Sequence, residues 1–115
     1  MQYMLLIYGP ENMGAATEEA MAASMREYNA YSQWLVDKGI FKAGEPLAPT
    51  TDATSVRVRD GRRLVTDGPF AETKEILGGY YIVECDDLDT AIEAAGRCPG
   101  ARTGTLEVRP IVGMG

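Results

Sequence analysis

The sequence predicts an α+β fold in which strand, helix, strand, strand, helix and strand follow one another, the ferredoxin-like order, with one extra β-hairpin set into its middle. Three observations carry this. Two capped amphipathic segments, residues 17–38 and 87–98, read as helices. Short apolar or alternating runs before, between and after them read as strands. Asp60-Gly61 divides two alternating segments at the two-residue spacing of a tight hairpin.

Gln2–Tyr8 (QYMLLIY) is apolar at nearly every position, as a strand covered on both faces would be. Gly9-Pro10 ends it, and residues 9–16 read as a loop. Thr17 then caps a helix whose first turn holds Glu18 and Glu19, favourable at the positive end of the dipole. Met21, Met25, Tyr28, Ser32 and Leu35 form its inward stripe, with the two methionines filling core space. Gly39 closes it. Ile40–Ala43 is a short strand that Gly44-Glu45-Pro46 should break, and residues 46–53 read as loop. Ser55–Arg59 and Arg62–Thr66 are the hairpin arms, with their arginines on a solvated face or, as the alternative, on an anion- or partner-binding surface. Leu77–Cys85 is a strand whose Gly78-Gly79 implies a bulge or a close backbone approach. Asp86, Asp87 and Asp89 offer caps for the second helix, with Leu88, Ala91, Ile92 and Ala95 inward and Cys98-Pro99-Gly100 after it. Thr105–Arg109 is the last strand, Leu106 and Val108 on one face. The doubly apolar first strand and Tyr80-Tyr81 point to a second subunit over the free face of the sheet.

A chain of 115 residues is sized for one domain, residues 1–115. Its longest apolar run, Tyr3 to Tyr8, is far below membrane-spanning length, and the start of the sequence lacks secretory-signal character. Cys85 and Cys98 fit neither a disulfide framework nor a metal motif, so a cytoplasmic protein with two reduced thiols, and no metal or cofactor, is expected. A net charge of −6 works against nucleic-acid binding. Histidine is absent, which removes His-based triads, His acid–base catalysis and His-ligated metals.

The stretch TDGPFAETKE (66–75) interrupts this regular pattern. Asp67 stands at a strand end before a Gly-Pro turn, and shielding by Phe70 and the sheet would raise its pKa toward that of a general base. The alternative is an Asx-type turn made by Asp67 with Phe70 in the core. Pro69 and Phe70 would frame a substrate beside it. Lys74 is the candidate stabiliser of a developing enolate, with Glu72 and Glu75 as alternative surface partners. Tyr8 and Tyr81 could donate hydroxyls to a pocket, Glu45 of the AGEP loop could face the same cleft, and Arg109 could bind a carboxylate.

YMLLIYG (Tyr3–Gly9), RDGRRLVTDGPFAETKE (Arg59–Glu75), LGGYYIVE (Leu77–Glu84), DLDTAIEAAGRCP (Asp87–Pro99) and EVRP (Glu107–Pro110) together resemble the YCII-related family, in particular its DGPF branch. That resemblance covers essentially the whole chain. It implies a ferredoxin-like subunit pairing into a homodimeric α/β barrel, similar to muconolactone isomerase-type barrels, with a small-molecule ligand in the cleft. Some members use a histidine–aspartate pair there. This chain has Tyr28 and Asn29 where the histidine is expected, so the pair cannot form. Beside a simple dimeric scaffold without a ligand, the resemblance therefore leaves two further expectations. One is a ligand-binding barrel with residual proton-transfer chemistry on a small unsaturated acid. The other is a non-catalytic accessory protein of an extracytoplasmic-function sigma factor pathway, beside whose genes members of this branch often lie.

Overall fold

The computed structural model describes residues 1–10, 17–71 and 73–113. Most of the loop expected over 9–16, and Glu72, lie outside them. The elements run β1 (Gln2–Gly9), α1 (Glu18–Asp37), β2 (Phe41–Pro46), β3 (Thr54–Arg59), β4 (Arg62–Asp67), β5 (Ile76–Glu84), α2 (Leu88–Arg97) and β6 (Thr105–Pro110). Short 3-10 turns occupy Thr50–Asp52 and Pro99–Arg102. Removing β3 and β4 leaves the βαββαβ order, and the four remaining strands form one antiparallel sheet in the order β2-β5-β1-β6.

Local chemistry sets the helix ends. Thr17 accepts the Ala20 amide at 3.1 Å, and Gly39 follows the helix at φ 79°, a conformation that favours glycine. Asp87 accepts the Thr90 amide at 2.9 Å and its hydroxyl at 2.7 Å, and these bonds hold its carboxyl below the usual range. Both helices cover one face of the sheet. The core between them holds Tyr3, Leu5, Tyr31, Leu35, Ile40, Tyr81, Val83, Ala91, Ala94, Ala95 and the two free thiols. The Tyr31 hydroxyl donates to the Ala94 carbonyl at 2.6 Å, satisfying a buried polar group and tying α1 to α2.

Three local expectations change. Gly44-Glu45-Pro46 continues β2, with Glu45 opposite Tyr80 and Pro46 opposite Gly79. An edge strand tolerates a proline because it is not hydrogen-bonded on both sides. Met21 and Met25 are exposed, because only the C-terminal half of α1, at Tyr31 and Leu35, is buried. On α2 the buried positions are Ala91, Ala94 and Ala95, while Leu88 and Ile92 are exposed. The small side chains let the helix backbone lie close to its neighbours.

Gly78 takes the place of an extra residue: Ile7 pairs with Gly79 and Tyr8 with Leu77, a bulge in the β1–β5 ladder. A side chain at Gly79 would stand 3.0 Å from the Glu45 carbonyl oxygen, so the close approach expected of this glycine pair is present too.

Candidate functional site

Because the N-terminal half of α1 stands away from the sheet, a cavity of about 580 Å³ opens beneath it, within the size range of small-molecule sites. Met25, Tyr28, Asn29 and Ser32 line it from α1, Tyr81 and Gly79 from β5, Gly44 from β2, and Gly100 and Thr103 from the turn after α2. A Cβ on Gly44 would meet the Tyr81 ring at 2.5 Å, so glycine there lets the ring lie flat on β2.

Hydroxyls dominate the polar chemistry of this cavity. Tyr81 and Ser32 share a hydrogen bond of 2.9 Å across 49 residues of sequence. Burial raises the Tyr81 phenol despite that bond. Tyr28 is pushed up to about 12, first by burial and then by the neighbouring Cys98 thiol. Burial also pushes the Cys98 thiol up. Both cavity phenols are therefore neutral donors near pH 7 and not bases. These shifts have a stability consequence. Tyr28 is raised above its ordinary value of about 10, so its contribution is complete below pH 10 and lost as pH climbs through about 12. Tyr31 and Tyr81 shift in the same direction. Denaturation midpoints taken at pH 8 and pH 11 should fall further in the wild type than in Tyr28→Phe.

The residues singled out in the sequence divide into two groups. Tyr8, Glu45 and Tyr81 border the cavity. The β1–β6 and β2–β5 registers nevertheless place Tyr8 and Glu45 on the sheet face opposite the helices, and only Tyr81 lies on the inner face. Asp67, Pro69, Phe70, Lys74 and Arg109 do not line it. Asp67 pairs with Thr54 at the exposed end of β4. The shielding expected from Phe70 is not there: its ring is 78% exposed, so it neither fills the core nor desolvates the carboxylate. The Gly-Pro turn is held by backbone. Gly68 has φ 96°, its amide donates to Ala53 at 2.7 Å and its carbonyl accepts the Ser55 hydroxyl at 2.7 Å. Lys74 is exposed and makes no ion pair among the described residues, Glu75 included. Arg109 sits opposite Met4 on the outer sheet face. Ser32 and Tyr28 bring more polar chemistry to the cavity than any of these. Both belonged to the helical stripe, but nothing local marked them as facing a void.

Among the described residues, no lysine or arginine lines the cavity, and Glu45 is the one acid that does. No cluster of three His, Cys, Asp or Glu side chains suited to a metal occurs among the described residues. A second, shallower groove of about 390 Å³ lies between α1 and α2, lined by Tyr31, Trp34, Arg97 and Cys98 among others.

The chain is similar in fold to the 5-chloro-2-hydroxyhydroquinone dehydrochlorinase TftG of Burkholderia phenoliruptrix AC1100, solved with 2,5-dihydroxybenzoquinone. The TM-score is 0.51 at 13% identity, over 97% of this chain and 94% of that one. It is 39% identical over 114 residues to an uncharacterised protein of Rhizobium meliloti (strain 1021), covering 96% of this chain and 92% of that protein. The model of the YCII-related domain matches residues 1–114, and the chain belongs to that family.

Proposed function

We propose that this protein binds a small, uncharged, hydroxylated ring in the cavity between α1 and the sheet, as one half of a cytoplasmic homodimer. The observation that carries this is the Ser32–Tyr81 hydroxyl pair, with neutral Tyr28 beside it, in a cavity whose described lining residues include no lysine or arginine. Such a site offers hydrogen bonds to a phenol or quinone oxygen and, among the described residues, no cation to pair with a carboxylate. TftG, the neighbour in fold, was solved with a hydroxylated six-membered ring, 2,5-dihydroxybenzoquinone. Support for the dimer comes from the outer sheet face, where Met4, Leu6, Tyr80 and Ile82 gather on the side away from the helices. Among the described residues no helix is long and apolar enough to cross a membrane.

Proton transfer on an unsaturated acid would require Asp67 and Lys74 to act from outside the cavity, so binding is the primary reading. Calorimetric titration with hydroquinone and with 2,5-dihydroxybenzoate tests it. Hydroquinone should bind and its carboxylated counterpart should bind at least about tenfold more weakly, because burying an unpaired carboxylate is costly. Ser32→Ala and Tyr81→Phe should each weaken hydroquinone about tenfold, the size of one lost hydrogen bond. Preference for the carboxylate, abolished in Asp67→Asn, would instead favour the acid-directed chemistry.

A further inference from the structure

The hairpin of β3 and β4 is the least explained part of the molecule. Its turn is well specified, since Asp60 at φ 52° and Gly61 at φ 75° give the mirror-image geometry that suits a twisted ribbon. The ribbon forms its own two-stranded sheet and does not join the other four strands. Register puts Val56 opposite Val65 and Val58 opposite Arg63 on one face, and Arg57, Arg59, Arg62 and Leu64 on the other. Val56, Val58 and Val65 are 57%, 61% and 60% exposed, so the valine face is not covered by the chain's own body. The radius of gyration, 16.1 Å, exceeds the roughly 13 Å of a compact chain this long, and the molecule measures 47 × 44 × 19 Å. An isolated two-stranded hairpin is marginal in water, and its apolar face calls for a cover.

Charge indicates which cover. Residues 54–67 hold four arginines against two aspartates, a net of +2, leaving −8 on the rest of a chain whose total is −6. Two ribbons laid valine face to valine face would bring their two Arg63 side chains and two net-positive ribbons together, whereas a ribbon laid on the body of another copy meets opposite charge. The body also has an open apolar sheet face bordered by Glu45, by Glu107 and by Glu84, which pairs with Lys42 at 3.1 Å, with Arg109 as the one arginine on the face among the described residues. A twofold pair lets each ribbon reach the other body and closes the assembly at two copies. We infer that the β3–β4 ribbon is a dimerisation arm whose valine face seats on the acidic body of a second copy, with Arg63 as its ionic contact. This rests on the homodimer of the proposed function and adds the element that holds it.

The test uses the full chain, with sedimentation equilibrium for the association constant and hydrogen exchange for the arm. The wild type should dimerise, and amides of residues 56–65 should be protected in the dimer and lose protection on dilution. Val56→Lys combined with Val65→Lys should weaken association about 100-fold, and Arg63→Glu about tenfold with a smaller salt dependence. These side chains are exposed in the single chain, so unchanged melting of the dissociated variants shows that the fold is intact. A variant dimer of wild-type affinity, its arm exchanging freely, would overturn the arm while leaving the dimer standing. Arm protection that is independent of concentration would overturn it as well, because the arm would then fold on its own body. A wild-type monomer with an unprotected arm removes both readings and gives the arm to a different protein.

Discussion

Gly104→Ala is expected to destabilise the protein by about 3 kcal/mol or more, the upper range for forced overpacking. A Cβ at this position would stand 2.0 Å from the Tyr8 carbonyl oxygen, 2.9 Å from the Gly9 Cα and 3.0 Å from the Tyr8 carbonyl carbon. All three are backbone atoms, so no side-chain rotation can relieve the clash. Relief requires the end of β1 to move off the start of β6, where Tyr8 pairs with Thr105. Gly104 itself is tied to the Gly100 carbonyl by its amide at 2.9 Å, which resists movement from the other side. Urea denaturation should show the loss as a lower midpoint at similar slope. Thr103 and Tyr8 both border the cavity, so hydroquinone binding should weaken in the fraction that stays folded.

Leu35→Ala should cost about 3–5 kcal/mol and lower the melting temperature by more than about 10 °C. Leu35 is fully buried, in a core that Tyr31, Ile40, Tyr81 and Val83 share. Two constraints limit how far that core can collapse around the missing atoms. The Tyr31 hydroxyl is fixed to Ala94, and Tyr31 meets the Tyr81 ring edge-on with centroids 5.1 Å apart. Calorimetric melting of Leu35→Ala beside Met25→Ala gives the contrast. Met25 lies nearly three turns earlier on the same helix but is 66% exposed, and its truncation should leave the melting temperature nearly unchanged while altering ligand affinity. Equal losses would mean that both halves of α1 bear on the core alike.

What could be read in the sequence was whatever short-range chemistry decides. Thr17 and Asp87 cap because a hydroxyl or carboxylate meets amides three residues on. Asp60-Gly61 turns because those residues tolerate positive φ, and Gly78 bulges because it has no side chain to place. The misreadings involve partners distant in the chain. Pro46 stays in a strand because β2 lies at the sheet edge, a fact of strand order that AGEP cannot reveal. Phe70 was expected inside because it is apolar, yet the turn around it is fixed by Gly68, Ala53 and Ser55, with no use for the ring. The cavity was hidden for the same reason. Periodicity shows that Met25, Tyr28 and Ser32 share a face with Leu35, but not that α1 leaves the sheet halfway along. The Ser32–Tyr81 pair joins residues in separate elements, and no spacing rule connects them.

The aromatic chain leading out of the cavity has an optical consequence. Tyr81 touches Tyr31 edge-on at 5.1 Å, and Tyr31 stacks on Trp34 at 6.3 Å. Trp34, the chain's sole tryptophan, lies in the opposite groove under the Arg97 guanidinium at 4.7 Å and the Lys38 ammonium at 5.3 Å. The indole is thus one ring removed from the ring that shapes the cavity, and outside the cavity itself. Light absorbed by Tyr81 can pass through Tyr31 and leave as indole emission, so occupancy of the cavity becomes a change in sensitised fluorescence. The fluorophore that reports it never touches the guest.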